Sequence, residues 1–295
     1  MSKIEKIVKA IKEKETLFLK TSGTSTGDKK DISVDLGSRY SSVRRLELEK
    51  TYTVGFLYDL DSWASVSTIS FCVKNNINFV KITNYEQCFD ASIHHLCMTP
   101  SQLLNISLIN KQNLSVRQVT LGGEYATQNV IDKCKTIFPN ARVTHVYAAT
   151  EVGDICAVSD GLEGIPQHKF KDYQILEDKI IINGVELSDM WQLNDGRYYF
   201  LGRADHKVNV AGNLVNPVEL EKIIQNLPGV ENCVIYSKRV PIIGNALFLK
   251  YVGSIEKAEL KSILQRKLNK FQIPFIKKGN LIETNSNGKK IRVFK

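Results

Sequence analysis

Long hydrophobic runs are missing from this chain. No stretch nears the ~18 consecutive apolar residues that span a bilayer. The first residues, MSKIEKIVKAIKEKETLFL, are charged and amphipathic and lack the apolar core of a signal peptide. Both absences predict a cytoplasmic protein with no membrane partner. Paired cysteines are missing too. Cys72, Cys88, Cys97, Cys134, Cys156 and Cys233 lie scattered with no CxxC pair, which argues against a zinc site or a disulfide framework. Buried, small, apolar side chains are the better reading. Nor is there a dense basic arm. Lys+Arg 40 against Asp+Glu 31 gives a net charge of +9, yet the lysines are spread along the chain and no aromatic-interleaved patch accompanies them. The reading is no nucleic-acid partner and a mildly basic surface that attracts small anions.

What is present describes an ordinary globular protein. Hydrophobic residues make up 43% and charged residues 24% of 295 positions, enough chain for one large or two unequal domains. Residues 3–14 read as an amphipathic helix, 16–20 as a strand, 21–30 as a polar glycine-bearing loop and 31–36 as a second strand. Helical patterns follow at 38–50 and 63–76, with short strands at 78–82 and 94–99. Pro100 opens a helix capped by Thr99. Residues 117–123 read as strand then turn, 127–138 as a helix capped by Thr127, and 142–148 as a strand ending at a polar cluster, 149–151. Alternation of strands and helices makes this half α/β.

From about residue 155 the pattern becomes β-rich. After Arg203 a compact unit begins: a helix with Asn216 as cap and Pro217 in its first turn, two strands, a second helix (KAELKSILQRKLNKF) and a last strand. The expected organisation is a core over 1–203 and a small α+β domain over 204–295.

The loop TSGTSTGDKK concentrates hydroxyls, two glycines (Gly23, Gly27) and a lysine end. Glycines let backbone N–H groups approach an anion, hydroxyls donate further bonds and lysine adds charge. The Walker A spacing is not matched, and a strand follows instead of a helix. Taken alone, the loop is equally well a solvated hairpin turn.

Six segments in order resemble the AMP-forming acyl-CoA synthetase and adenylation-domain superfamily, the adenylate-forming ligases. TSGTSTGDKK is similar to the family's phosphate loop, LGGEYAT (121–127) to its GGA/GGE turn, VYAATE (146–151) to its YGxTE motif and SDMW (188–191) to its TGDxW segment. YYFLGRADHKVNVAGNLVNPVELE (198–221) resembles the family's hinge-and-lid signature, and NSNGKKIR (285–292) its closing GKxxR motif. The fold class implied is α/β: a truncated adenylate-forming ligase core, made of an α/β layer plus a small β-rich subdomain, with a small α+β C-terminal lid domain.

The resemblance implies roles position by position. Thr21, Ser22, Gly23, Thr24, Gly27 and Lys30 would hold the β- and γ-phosphates of ATP. Gly122, Gly123 and Glu124 would line the adenine and acyl pocket, and Tyr147 would stack on adenine. Thr150 would contact the α-phosphate and Glu151 would hold Mg²⁺. Asp189 would accept the ribose hydroxyls, Arg203 would bond ribose or phosphate, and Lys289 would reach the carboxylate and α-phosphate. Thr150, Glu151 and Lys289 form the implied catalytic set, and Asp205 sits at the family's hinge. The implied reaction makes an acyl-adenylate and pyrophosphate from a small carboxylic acid, then transfers the acyl group to CoA, a phosphopantetheine carrier or another nucleophile.

Departures from the family pattern are specific. The phosphate loop begins about twenty residues in, so the expectation is a shortened form lacking most of the N-terminal subdomain. That loop carries one extra residue, and Lys29 replaces a proline. Ala148 replaces a glycine and Asn209 replaces the lid lysine. Asp59 and Trp63 occupy the stretch of an expected histidine, and His94 and His95 read as structural. Two alternatives stay open: a second copy or a complementary subunit completes the cleft, or the chain is a catalytically degenerate nucleotide-binding scaffold.

Overall fold

A computed structural model describes residues 1–20, 31–37, 51–149, 152–170, 174–176, 179–182, 184–240 and 244–292. The glycine loop 21–30, the helical pattern at 38–50, and Thr150 and Glu151 lie outside the described residues. Contacts divide the chain into two compact units, Met1–Glu163 with Ser286–Lys289, and Gly164–Asn285 with Lys290–Lys295. The boundary read from sequence at 203/204 falls inside the second unit. Among the described residues no helix is long and apolar enough to cross a membrane.

In the first unit, α1 (Lys3–Glu13) starts at a Ser2 capping box with Glu5. It precedes an antiparallel pair, β1 (Thr16–Lys20) and β2 (Asp31–Asp35). A six-stranded sheet follows: β3 (Thr53–Phe56), β4 (Asn78–Lys81), β5 (His95–Met98), β6 (Gln118–Leu121), β7 (Arg142–Ala149) and β8 (Gly153–Val158), in spatial order β4-β3-β5-β6-β7-β8. The first five run parallel, and β8 returns antiparallel against β7. Three crossover helices connect the parallel strands: α2 (Trp63–Asn75) from β3 to β4, α3 (Pro100–Ser107) from β5 to β6, and α4 (Gln128–Ile137) from β6 to β7.

Strand alternation sends side chains to two separate cores. Leu96 and Met98 join Val119, Leu121, Leu103, Ile131 and Phe138 on the side of α3 and α4. Their neighbour Cys97 joins Val54, Phe56, Val66, Ile69, Ile7 and Ile11 on the side of α1 and α2. Helices on both faces of a mostly parallel sheet make this the α/β layer expected from sequence. Five of the six cysteines are buried, in keeping with the apolar reading.

One cap differs from expectation. Thr127 occupies the N-cap position of α4 but makes no capping bond, and its hydroxyl is buried without a hydrogen-bond partner. The carboxylate of Glu163 takes its place, accepting from Gln128 N at 2.8 Å, while Gln128 Oε1 accepts from Glu163 N at 2.9 Å. A distant carboxylate has displaced the local hydroxyl at the positive end of the helix.

The second unit holds a five-stranded antiparallel sheet of β9 (Ile165–Pro166), β10 (Gln174–Leu176), β11 (Lys179–Ile182), β12 (Val185–Asn194) and β13 (Arg197–Arg203), ordered β10-β11-β12-β13-β9. A small ladder, β14 (Val208–Val210) with β15 (Asn213–Val215), leads into α5 (Pro217–Gln225). Asn216 caps α5 by accepting from Val218 N at 3.1 Å. Strands β16 (Asn232–Val240) and β17 (Gly244–Val252) pair antiparallel, α6 (Lys257–Lys267) follows, and β18 (Phe275–Lys278) closes the sheet parallel to β17. The α+β order matches the sequence reading of this region. Leu220, Ile224, Leu260 and Leu264 of the helices pack on Ile235, Leu247, Leu249 and Tyr251 of the sheet.

Candidate active site

The order of the parallel strands locates the site. The chain leaves β3 toward β4 on one side and later enters β5 on the other, so the winding direction reverses between β3 and β5. Beyond the carboxyl ends of strands flanking such a reversal, helices diverge to opposite faces and leave a crevice where ligands bind. Here those ends deliver Leu57–Tyr58 from β3, Thr99 from β5 and Gly122–Gly123–Glu124 from β6.

These residues are held tightly. The buried Tyr58 hydroxyl donates to Met98 O at 2.9 Å, and burial pushes its pKa well above the ordinary 10. Gln102 bridges the two strands of the reversal: its Nε2 donates to Leu57 O at 3.2 Å and its Oε1 accepts from Thr99 N at 2.9 Å. Thr99 accepts from Gln102 N at 3.1 Å, completing the capping box of α3. Glu124 Oε2 accepts from Ser101 N at 3.1 Å, a carboxylate at a helix N-terminus.

The turn after β6 is bare for a reason. A Cβ on Gly122 would meet the Tyr58 hydroxyl at 3.1 Å, and Gly123 takes φ +81°, where only glycine is unstrained. A Cβ on Gly123 would lie 3.5 Å from Lys289 Cε. The lysine of the closing GKxxR motif therefore stands at the glycine turn. Its neighbour Gly288 is fixed by the Thr99 hydroxyl, which donates to Gly288 O at 2.6 Å. Tyr147 lies on β7, adjacent to β6; Leu121 pairs with His145, and both chains run two residues further, to Gly123 and Tyr147. A register shift between Tyr147 and Ala148 bends β7 there.

In the second unit Asp189 and Arg203 face each other across β12 and β13. Arg203 Nη1 stands 3.6 Å from Asp189 Oδ1, with side-chain exposures of 40% and 17% respectively. The same unit holds a cluster that sequence reasoning missed. Glu221, buried in α5, accepts from Arg292 Nε at 3.1 Å, Arg292 Nη2 at 2.9 Å and Ile235 N at 2.9 Å. Lys290 donates to Cys233 O at 2.6 Å and stands 3.7 Å from Glu221 Oε2. Glu221 and Arg292 were visible as parts of two motifs, but nothing in either motif joins them.

The structure thus brings Gly122, Gly123, Glu124 and Lys289 together in one unit, with Tyr147 on the adjoining strand, and pairs Asp189 with Arg203 in the other. Thr21, Ser22, Gly23, Thr24, Gly27, Lys30, Thr150 and Glu151 lie outside the described residues. Thr99, Gln102 and Tyr58 join the site without having been selected for it. Asn209, where the family carries a lysine, is engaged locally: its Oδ1 accepts from Gly212 N at 2.9 Å and its O accepts from Asn245 Nδ2 at 3.0 Å. His95 Nε2 is placed 2.8 Å from Thr120 Oγ1.

In the first unit, the side-chain-free Gly122–Gly123 turn has room for a planar group, with Tyr147 on the adjoining strand and the Lys289 cation at that turn; in the second, the Asp189 carboxylate can accept from hydroxyl donors. For a divalent metal, no group of three or more His, Cys, Asp or Glu converges among the described residues; Glu151, the residue implied for Mg²⁺, is not among them.

No family model matches the chain. Bacitracin synthase 1 of Bacillus licheniformis is 23% identical over 287 aligned positions, covering 76% of this chain and 5% of that protein. The 2-succinylbenzoate–CoA ligase of Lactococcus lactis is 24% identical over 326 aligned positions, covering 95% of this chain and 70% of that one. Among solved structures, E. coli MenE with bound OSB-AMS aligns with a TM-score of 0.72 at 18% identity, over 90% of this chain and 64% of that chain. ATP-bound MatB from Rhodopseudomonas palustris aligns at 0.67 and 15% identity, over 93% and 66%. The chain spans a small part of the synthase and just under two thirds of the two solved chains.

Proposed function

Because the chain belongs to the adenylate-forming ligase superfamily, we propose that it activates a carboxylic acid as an acyl-adenylate and passes the acyl group to a thiol or another nucleophile. A carboxylate oxygen bonds to the α-phosphorus, the bond to pyrophosphate breaks, and pyrophosphate leaves with the electron pair. ATP, with Mg²⁺, supplies the electrophilic phosphorus and the leaving group. The observation that carries the reading is Lys289 at the glycine turn, beyond the carboxyl ends of the parallel strands.

Each residue then has a physical task. Two anions, carboxylate and α-phosphate, repel one another as they approach. A lysine held in place before the reaction offsets that repulsion without reorganising. Gly122 and Gly123 admit the base at backbone distance, and Tyr147 offers it a π-face. Asp189, oriented beside Arg203, accepts from the ribose hydroxyls. By the resemblance, Thr21, Ser22, Gly23, Thr24, Gly27 and Lys30 would hold the outer phosphates, Thr150 the α-phosphate, and Glu151 the metal.

Named relatives suggest where to look for the acid: one is a 2-succinylbenzoate–CoA ligase, another a 3,4-dihydroxybenzoate–[aryl-carrier protein] ligase. Acid-dependent exchange of labelled pyrophosphate into ATP, over aromatic and short aliphatic acids, tests the reading. The expected result is exchange with at least one acid, reduced about 10²–10³-fold in Lys289→Ala. Nucleotide binding by calorimetry without exchange for any acid supports the degenerate scaffold instead, a reading favoured by Asn209 being occupied in its own turn.

A further inference from the structure

We infer that Thr99 is a positioning residue for Lys289, acting through Gly288. The inference rests on the ligase reading only for what Lys289 does, not for how it is held. Thr99 is 1% exposed, and its hydroxyl serves two partners at once. It accepts from Gln102 N at 3.1 Å and donates to Gly288 O at 2.6 Å. A hydroxyl does both through one atom, which an ionised carboxylate cannot do. The residue here therefore needs a donor as well as the acceptor that capping alone requires, which an aspartate cap lacks.

The seat built around this bond is fitted to Gly288. The glycine takes φ +72°, and a Cβ there would lie 2.3 Å from Gln102 Nε2 and 2.4 Å from Gln102 Cδ. Gln102 cannot swing aside cheaply, because its two ends are bonded to Thr99 N and Leu57 O. The backbone before Lys289 is thus gripped at the strand reversal by one hydroxyl and one amide side chain. The lysine stem then lies against Gly123, 3.5 Å from the position of an added Cβ. Fixing the backbone one residue away restricts where the ammonium group can reach. That is the preorganisation a transition-state cation needs.

Thr99→Val removes both bonds, Thr99→Ser keeps both, and Gly288→Ala unseats the glycine while keeping the Thr99 hydroxyl. The first readout needs no activity: acetylation of the nucleotide-free protein by acetic anhydride, followed by mass spectrometry, with exposed Lys169 as internal reference. Lys289 should be acetylated about tenfold faster in Thr99→Val and Gly288→Ala, the scale of one lost hydrogen bond, with Lys169 unchanged and Thr99→Ser matching wild type. In pyrophosphate exchange the same two variants should lose kcat about tenfold with KM for ATP unchanged, and serine should rescue. Unchanged Lys289 acetylation in folded Thr99→Val, or a serine variant no better than valine, overturns the inference. Absence of exchange in wild type overturns the ligase reading alone, because the acetylation pattern still reports on the grip.

Discussion

Glu221→Gln offers the sharpest test of what holds the C-terminal unit together. Glu221 is buried, with its side chain 5% exposed, beside Lys290 at 8% and Arg292 at 27%. Its carboxylate accepts two bonds from Arg292 and one from Ile235 N. Glutamine is nearly isosteric, so packing is preserved while the negative charge is lost. Two cations then share a low-dielectric site with no counter-charge, and one end of the amide offers N–H groups to donors. Breaking a buried pair in this way costs about 3–5 kcal/mol; the partial exposure of Arg292 places this case at the lower end. With a urea slope of roughly 3 kcal/mol/M, the midpoint of this unit should fall by about 1 M. Hydrogen exchange at β16 and α5 during urea unfolding assigns the loss to this unit. A companion variant, Glu221→Leu with Lys290→Met and Arg292→Met, should recover part of the stability, because no charge is left buried, although Ile235 N and Cys233 O lose their side-chain partners. A loss below about 1 kcal/mol in Glu221→Gln, or no recovery in the triple variant, refutes the argument.

Other outcomes follow from single observations. Burial holds the His95 pKa down to about 4 from 6.5, so the unfolded chain binds the proton first. Stability should therefore fall as pH drops from about 6.5 toward 4, by about 3 kcal/mol in all, and urea titrations of His95→Gln should show a flatter profile there. Thr127 buries a hydroxyl that has no partner, so Thr127→Val should leave the melting temperature unchanged or raise it. Cys156 is half-buried while the other five cysteines are buried, with burial pushing Cys88, Cys97 and Cys233 up to about 12. Ellman's reagent should therefore find one rapidly reacting thiol in the folded protein and six in denaturant.

Local chemistry was legible wherever neighbours in sequence decide the outcome. Thr99 with Pro100 and Gln102, and Asn216 with Pro217, cap their helices as their spacing demands, because a cap is closed by residues two or three positions away. Thr127 had the same local signal and failed, because Glu163 arrives with its carboxylate at Gln128 N from 35 residues downstream of Gln128. Gly122 and Gly123 were readable as a turn, but the Tyr58 hydroxyl that makes a side chain unwelcome at Gly122 comes from another strand.

The sequence by itself determined the α/β alternation, the α+β order near the C-terminus and the resemblance to adenylate-forming ligases, since periodicity, capping and ordered motifs are written along the chain. Only the tertiary structure decided which loops meet. Strand order placed the reversal between β3 and β5 and so chose Tyr58, Thr99 and Gln102 as neighbours of the glycine turn. It also joined Thr99 to Gly288 across 189 positions and Glu221 to Arg292 across 71. Such pairs leave no periodic trace, because a hydrogen bond between distant residues depends on the path of the whole backbone and not on spacing.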